Sequence, residues 1–356
     1  MNNFNKITIQ IIIFIFIISC GKKIETLPIH KIQKIDSESK KLNNYFDKIF
    51  DEYVDRHPEY QSYLGIKKDY DKWDDMSLNA EEIEIAQATN SLQWLKDSIN
   101  IKFLDSQTLL SYELFKQKLE NQIYDHKYYL YSYPVNQMSG KQSGVPAFLI
   151  NMHKITSKKD AQDYISRLVG INSLFQQLFK NLKQREDIGI VPPTFILDHV
   201  LNDSKNVISG FPFSGDDSCA LFLDFHSKIM DLDIAELEKD NLLSLSKQAL
   251  IGSVKPAYDQ LINLVNDLKS NHDEADGVWR WKDGDEYYKN ALNRTTTTQM
   301  TAEEIHSLGL KEVKRIHKEM TSIMDKVGFN GTLKDFFIEL KENNKYYFPQ
   351  SKKGKE

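Results

Sequence analysis

Four consecutive threonines, Thr295 to Thr298, stand in the stretch Glu286-Tyr-Tyr-Lys-Asn-Ala-Leu-Asn-Arg-Thr-Thr-Thr-Thr-Gln-Met-Thr-Ala-Glu-Glu-Ile-His-Ser-Leu-Gly-Leu310. Threonine is a poor helix former, because its branched Cβ stiffens the side chain and its hydroxyl competes for backbone bonds. The run is therefore expected to be extended or irregular. It would present a row of hydroxyls and backbone amides at a junction between two amphipathic helical segments. Such a row suits pairing with the backbone of a strand-like ligand. It equally suits a purely structural junction, because Thr301 and Glu304 have the spacing of a capping box for the helix that follows.

Common catalytic signatures are absent. The chain holds no Gly-x-x-x-x-Gly-Lys-Ser/Thr or Gly-x-Gly-x-x-Gly phosphate cradle, and no Gly-x-Ser-x-Gly nucleophile elbow. None of its nine histidines is followed by glutamate and no two are four apart, so there is no zinc-peptidase helix of the His-Glu-x-x-His kind. His306 and His317 share a helical face but stand about 16 Å apart along the axis, too far to share one ion. Asp69, Asp71, Asp74 and Asp75 invite a calcium reading, yet the glycine and closing glutamate of an EF-hand are missing. The better reading is a solvated loop pinned by Tyr70 and Trp73. Tyr128, Tyr129, Tyr131 and Tyr133 either line a groove or cover core. Cys219 reads as a small packed residue, since no local nucleophile signature accompanies it.

The elements that position these groups begin with a separate module. Residues 1–19 read as a signal peptide: one lysine, then an apolar run from Ile7 to Ile18 that is too short to span a bilayer. Its end, Ile17-Ile18-Ser19-Cys20-Gly21, resembles a bacterial lipobox, in which the cysteine thiol receives a diacylglycerol. With Cys20 acylated, Cys219 is the only thiol left, and no intramolecular disulfide is possible. Residues 20–36 read as a lipidated tether to the bilayer. The Gly-Lys-Lys that follows Cys20 has no aspartate at the next position, which by resemblance to other Gram-negative lipoproteins favours the outer membrane. A net charge of -5 and no basic stripe give no electrostatic reason to expect nucleic acid as a partner.

The body from residue 37 to 356 is expected to be all-α and a single domain. Leu42, Tyr45, Phe46, Ile49, Phe50 and Tyr53 recur at helical steps, with Ser37 and Ser39 as candidate caps. Residues 79–97 and 105–131 repeat the pattern. Tyr164, Leu168, Ile171, Leu174, Phe175, Leu178 and Leu182 form one stripe between a start at Ser157 and a stop at Asp187-Ile-Gly189. Pro192-Pro193 restarts the chain toward a helix ending near Val207, and further helices are expected over 218–230, 233–270, 301–326 and 332–343. The one strand expectation is a small hairpin near 279–287, with Asp283-Gly284 as its tip.

Several segments together resemble the bacterial domain-of-unknown-function family 885. They are Pro58-Glu-Tyr-Gln-Ser-Tyr-Leu-Gly-Ile66, Tyr70-Asp-Lys-Trp-Asp-Asp-Met-Ser77, His153 to Leu168, and Gly189-Ile-Val-Pro-Pro-Thr-Phe195. The most specific is Thr296-Thr-Thr298 with Thr301 and Glu304-Ile-His-Ser-Leu-Gly-Leu310. The resemblance implies a fold similar to helical zinc peptidases of the gluzincin kind. Their metal motif is a His-Glu-x-x-Pro-Gly-His run, whose glutamate activates a zinc-bound water. That motif is not in this sequence, which ends at Phe348-Pro-Gln-Ser-Lys-Lys-Gly-Lys-Glu356, and the expectation is a C-terminally incomplete domain.

What the resemblance carries over is one wall of a cleft. Tyr288, Arg294, Thr296, Thr297 and Thr298 are expected to line a groove for an extended peptide. No catalytic residue, metal ligand or cofactor is expected in this chain, zinc being expected only in full-length members. The leading functional expectation is a lipoprotein forming the N-terminal, cleft-forming part of a metallopeptidase, inactive alone and associating with a complementary C-terminal half. The alternative is a non-catalytic lipoprotein that binds peptides or a partner protein.

Overall fold

A computed structural model describes residues 28–271 and 277–356 of the chain. The signal segment and Cys20 lie outside the described residues. Within them the fold is all-α: no strand forms, and one isolated bridge joins Phe211 to Ser218. No described helix is long and apolar enough to cross a membrane.

Three helices build the first core. α1 (Ile29–Arg56) begins inside the segment read as tether, and a short α2 (Pro58–Tyr63) follows it after a break at His57. α3 (Leu78–Ser98) and α4 (Ser106–Asp125) pack on α1 around Leu42, Leu95, Ile99, Tyr112 and Leu119. Phe46 and Phe115 meet edge to face at 5.3 Å, and Tyr45 stacks on Trp94 at 3.6 Å. Ser37 and Ser39 cap nothing, because α1 runs through them. Ser39 is buried instead, and its hydroxyl accepts the Asp105 amide at 3.0 Å where α4 starts.

The second core surrounds α6 (Lys158–Asp187), which is preceded by α5 (Lys141–Asn151). α6 starts where the Ser157 hydroxyl accepts the Asp160 amide at 3.2 Å, and it stops where Gly189 takes a φ of 77°. Its whole apolar stripe is buried. It packs against α7 (Thr194–Val207), α8 (Ala220–Met230), α9 (Glu236–Ala249) and α10 (Lys255–Asn271). Phe175 and Tyr258, both fully buried, meet at 4.9 Å; each such ring contributes roughly 1.5–3 kcal/mol. The Lys228 ammonium closes the end of α5 by donating to the carbonyls of Leu149, Ile150 and His153.

The expected 233–270 helix is split by a π turn over Leu250–Val254. Pro256 explains the break. It lacks an amide proton and its ring would clash with the Gly252 carbonyl, so the backbone widens there.

The hairpin expected near 279–287 does not form. Val278–Arg280 is a single 3-10 turn, and Asp283-Gly284 opens the helix α11 (Gly284–Thr296). A Cβ on Gly284 would lie 1.8 Å from the Val278 carbonyl oxygen, so this glycine permits a close backbone approach rather than a hairpin tip. α12 (Ala302–Lys326) and α13 (Leu333–Glu342) follow, with capping boxes at Thr301/Glu304 and Thr332/Asp335. Of the residues of α12, Met324 alone is buried.

Candidate functional site

A polar edge of α6 holds the two cores together and builds the floor of a cleft between them. Arg167, Asn181 and Arg185 spend their side chains on backbone groups of neighbouring segments. The Arg167 guanidinium, fully buried, donates to the carbonyls of Lys72 and Pro58, to the Ser62 hydroxyl and to Nδ1 of His153. Its ring neighbours are Tyr70, Trp73 and Phe148. Burial lowers its pKa to about 10, which leaves it a cation at neutral pH. The Trp73 indole donates to the Arg167 carbonyl at 2.9 Å and lies on Gly170, where a Cβ would meet the ring at 3.1 Å.

Asn181 donates to the Met76 carbonyl at 2.7 Å, and Arg185 donates to the carbonyls of Ser132 and Tyr129. The loop holding Asp69 to Asp75 is thus pinned by Tyr70 and Trp73, as the spacing suggested. Its carboxylates do not converge. Asp69 binds Lys72 and Gln61, Asp74 accepts the Glu59 amide, and Asp75 accepts the Ser77 amide.

Above this floor lies a cavity of about 690 Å³. Its walls carry Arg56, His57, Asp74, Glu81, Glu84, Tyr129, Tyr133, Lys141 and Arg185. A second hollow of about 700 Å³ runs between α1, α3 and α4 and is lined by Phe46, Phe50, Tyr53, Tyr60, Leu114 and Phe115. The two share Arg56 and Glu84, whose side chains pair at 3.0 Å. They therefore form one cleft with a charged lobe and an aromatic lobe, divided by an ion pair. Positions where structural units meet are common ligand sites.

Asp74 lines the charged lobe, and its partner Glu59 stands behind it. Glu59 and Asp74 hold each other reciprocally: the Glu59 amide donates to Asp74 at 2.8 Å, and the Asp74 amide donates to Glu59 at 3.4 Å. Burial pushes both carboxyls upward, against the pull of Lys141 in the case of Glu59 and of the Glu59 amide in the case of Asp74. His57 donates from Nδ1 to the Tyr53 carbonyl at 2.6 Å, stacks on the Tyr53 ring, and turns Nε2 toward Glu84 at 4.0 Å. The lobe thus offers the cations of Arg56, Lys141 and Arg185 and the carboxylates of Asp74, Glu81 and Glu84 to the polar groups of a bound molecule.

The threonine run is placed elsewhere and is less extended than expected. Thr295 and Thr296 continue α11, and Thr297 ends it in the left-handed region with a φ of 55°. Its hydroxyls are used locally. Thr296 donates to the Leu292 carbonyl, Thr297 to the Thr296 carbonyl, and Thr298 accepts the Met300 amide. Asn293 caps the junction through the Thr298 carbonyl at 2.7 Å. Arg294 reaches back to Asp125 in a two-pronged pair at 2.9 and 3.0 Å, joined by Asn290 at 2.8 Å. Of the five residues expected to line a groove, Arg294 borders a hollow of about 450 Å³ with Tyr124, Glu286, Lys289, Asn290, Asn293 and Gln299. Tyr288 is half exposed, and neither it nor Thr296, Thr297 or Thr298 lines this hollow or the cleft.

The tyrosine cluster divides. Tyr128 and Tyr131 pack with Trp281 and Tyr287 at 5.3 to 5.4 Å and fasten α11 to the body, whereas Tyr129 and Tyr133 line the cleft. Cys219 is buried, accepts the Phe222 amide at the start of α8, and has its thiol pKa raised by burial. His306 and His317 are exposed on α12. Among the described residues no group of three or more His, Cys, Asp or Glu is placed to hold a metal ion. Sequence reasoning missed Arg56, Glu84 and Lys141, whose charged partners lie on other helices, and Arg185, which reaches the backbone of Tyr129 and Ser132 more than 50 positions away.

Comparison with known proteins gives three results. A family model described as bacterial protein of unknown function (DUF885) matches residues 58–356. No curated protein matches. Two solved structures share the fold. One is a candidate lipoprotein from Colwellia psychrerythraea, with a TM-score of 0.71 at 20% identity over 91% of this chain and 56% of that one. The other is a candidate lipoprotein of unknown function from Shewanella oneidensis, with a TM-score of 0.56 at 16% identity over 82% of this chain and 48% of that one. The chain thus spans about half the length of the solved structures it matches.

Proposed function

Since the chain belongs to the DUF885 family, we propose that it is a lipid-anchored envelope protein whose helical body holds an extended, peptide-like ligand in the two-lobed cleft. The observation that carries this is the sharing of Arg56 and Glu84 by the charged and aromatic lobes. A peptide has the matching chemistry: a polar backbone and charged ends for the first lobe, apolar side chains for the second. The anchor is Cys20 in its lipobox-like setting, and the lipoprotein descriptions of both structural neighbours support it. The bilayer it enters, on this reading, is the outer membrane of a Gram-negative cell.

A finer reading rests on the resemblance to helical zinc peptidases and on the greater length of the structural neighbours. In a protein of that full length, the cleft would present a peptide to metal-bearing residues that this chain does not contain. The described residues do not fit a zinc site. Tyr288, Arg294 and the threonine run would then border the path of the peptide beyond the cleft. Fluorescence anisotropy of a labelled, unfolded casein peptide with the full chain in detergent tests the binding reading. Zinc-dependent cleavage of that peptide by this chain alone would overturn the division of labour.

A further inference from the structure

One end of the first core shows solvent an unusual mixture of side chains. There α1 starts, α3 ends and α4 starts, and a 3-10 turn over Ile101–Phe103 joins α3 to α4. Three contacts fix this turn beside the second and third turns of α1. The Lys34 ammonium lies 4.0 Å over the Phe103 ring, Glu38 accepts the Asn100 amide at 2.8 Å, and Ser39 accepts the Asp105 amide at 3.0 Å. Ile29, Ile32 and Ile101 are left 76%, 43% and 45% exposed. Lys31, Lys34 and Lys102 are exposed as well, and among the described residues no carboxylate pairs with any of the three.

Charge and reach point to what covers this end. The stretch from Cys20 to Ile35 carries Lys22, Lys23, Lys31 and Lys34 against Glu25 alone, in a chain whose net charge is -5. Ile29 stands nine positions after Cys20, so a lipid on that cysteine holds the start of α1 within about 30 Å of a bilayer. The flank of α1 offers a bilayer little. Its exposed side chains from Ser37 to Asp55 are polar apart from Phe50 and Tyr53, which line the cleft. An apolar tip set among lysines suits a headgroup layer: the isoleucines reach the acyl boundary, and each ammonium is drawn to anionic phosphate.

We propose that this end of the body rests on an anionic phospholipid surface, with Ile29, Ile32 and Ile101 entering the headgroup layer and Lys31, Lys34 and Lys102 on its phosphates. The proposal rests on the reading of Cys20 as the lipid anchor, and it adds a second contact that sets how the body stands. α1 then rises away from the bilayer. Phe46 and Tyr53 lie about 26 and 36 Å along it from Ile29, so the aromatic lobe opens clear of the headgroups.

Fluorescence quenching tests the contact, with the full lipidated chain in vesicles that contain phosphatidylglycerol and a nitroxide-bearing phospholipid. The fluorophore NBD is attached at Ile32→Cys, at Ile101→Cys and, as a reference on the flank of α1, at Asp51→Cys. The parent chain is the labelling control, its Cys219 being buried. NBD at both tip positions should be quenched and NBD at Asp51→Cys should not. Joint Lys31→Glu, Lys34→Glu and Lys102→Glu substitution should bring the tip signal down to the reference level, as should vesicles of phosphatidylcholine alone. Flotation with the vesicles reports the anchor separately. A chain that floats without quenching at the tip, or tip quenching unchanged by charge reversal, would overturn the docking and leave the anchor standing. A chain that does not float would overturn the anchor and the docking together.

Discussion

Nη1 of Arg167 donates to Nδ1 of His153 at 3.0 Å, and Nε2 of His153 bonds the Asp160 carbonyl at 3.0 Å. A guanidinium only donates and a carbonyl only accepts, so the imidazole carries its proton on Nε2 and stays neutral. Burial, reinforced by the charges of Arg167 and Lys228, lowers its pKa from 6.5 to about 3. The pair ties α6 to the turn that precedes it, where the imidazole also packs on Tyr70 at 4.0 Å.

Stability should therefore fall on mild acidification. The unfolded chain binds a proton at His153 below about pH 6.5, whereas the folded chain resists it down to about 3. The contribution is full above 6.5 and is lost toward 3, by at most about 1.4 kcal/mol per pH unit. Glu59 and Asp74, raised by burial, act with the opposite sign in the carboxylate range. Urea midpoints compared at about pH 7.5 and about pH 5.5 isolate the histidine. The midpoint should drop at the lower pH, and His153→Asn should flatten the difference.

Arg167→Met should destabilise the fold by about 3 kcal/mol. The apolar side chain keeps the contacts with Tyr70, Trp73 and Phe148 but leaves the carbonyls of Lys72 and Pro58 without their donor. Urea unfolding would show it, and an unchanged midpoint would remove Arg167 from its place as the keystone of the floor.

Thr297→Gly should raise stability by about 0.5–1 kcal/mol. A branched residue in the left-handed region is strained, and glycine adopts that region freely. If the threonine serves a ligand rather than the junction, the same variant would lose peptide affinity without gaining stability.

Much of the architecture was legible in the sequence, because its signals are local. The stripe from Tyr164 to Leu182, its start at Ser157 and its stop at Gly189 fall where the spacing put them. So does the box of Thr301 with Glu304. Misreadings came where a contact outside the local pattern decides, near in sequence for Gly284 and far for Ser39. Gly284 serves a close approach to Val278, and Ser39 serves Asp105 from inside α1. The cleft was half visible: Asp74, Tyr129 and Tyr133 were singled out by type and clustering, whereas Arg56 and Glu84 meet across 28 positions with no local mark. Arg294 was noted for its place beside the threonines, yet its partner Asp125 lies 169 positions away.

Arg294→Ala distinguishes fastening from ligand contact. Burial alone would raise the Asp125 carboxyl, but its bonds to Arg294 and Asn290 hold it below the usual range. Removing the guanidinium should cost about 1 kcal/mol and loosen α11, seen as faster amide exchange over 284–296. Peptide affinity in the cleft should stay within about twofold of the parent, since Arg294 lines neither lobe.

The most direct test of the cleft is anisotropy of the labelled casein peptide with Leu114→Asp, which sets a charge in the aromatic lobe at a side chain already 58% exposed. Folding should be kept and affinity should fall roughly tenfold or more, while Thr298→Ala leaves it unchanged. Parent-like binding by Leu114→Asp, or no binding by the parent chain, would contradict the account.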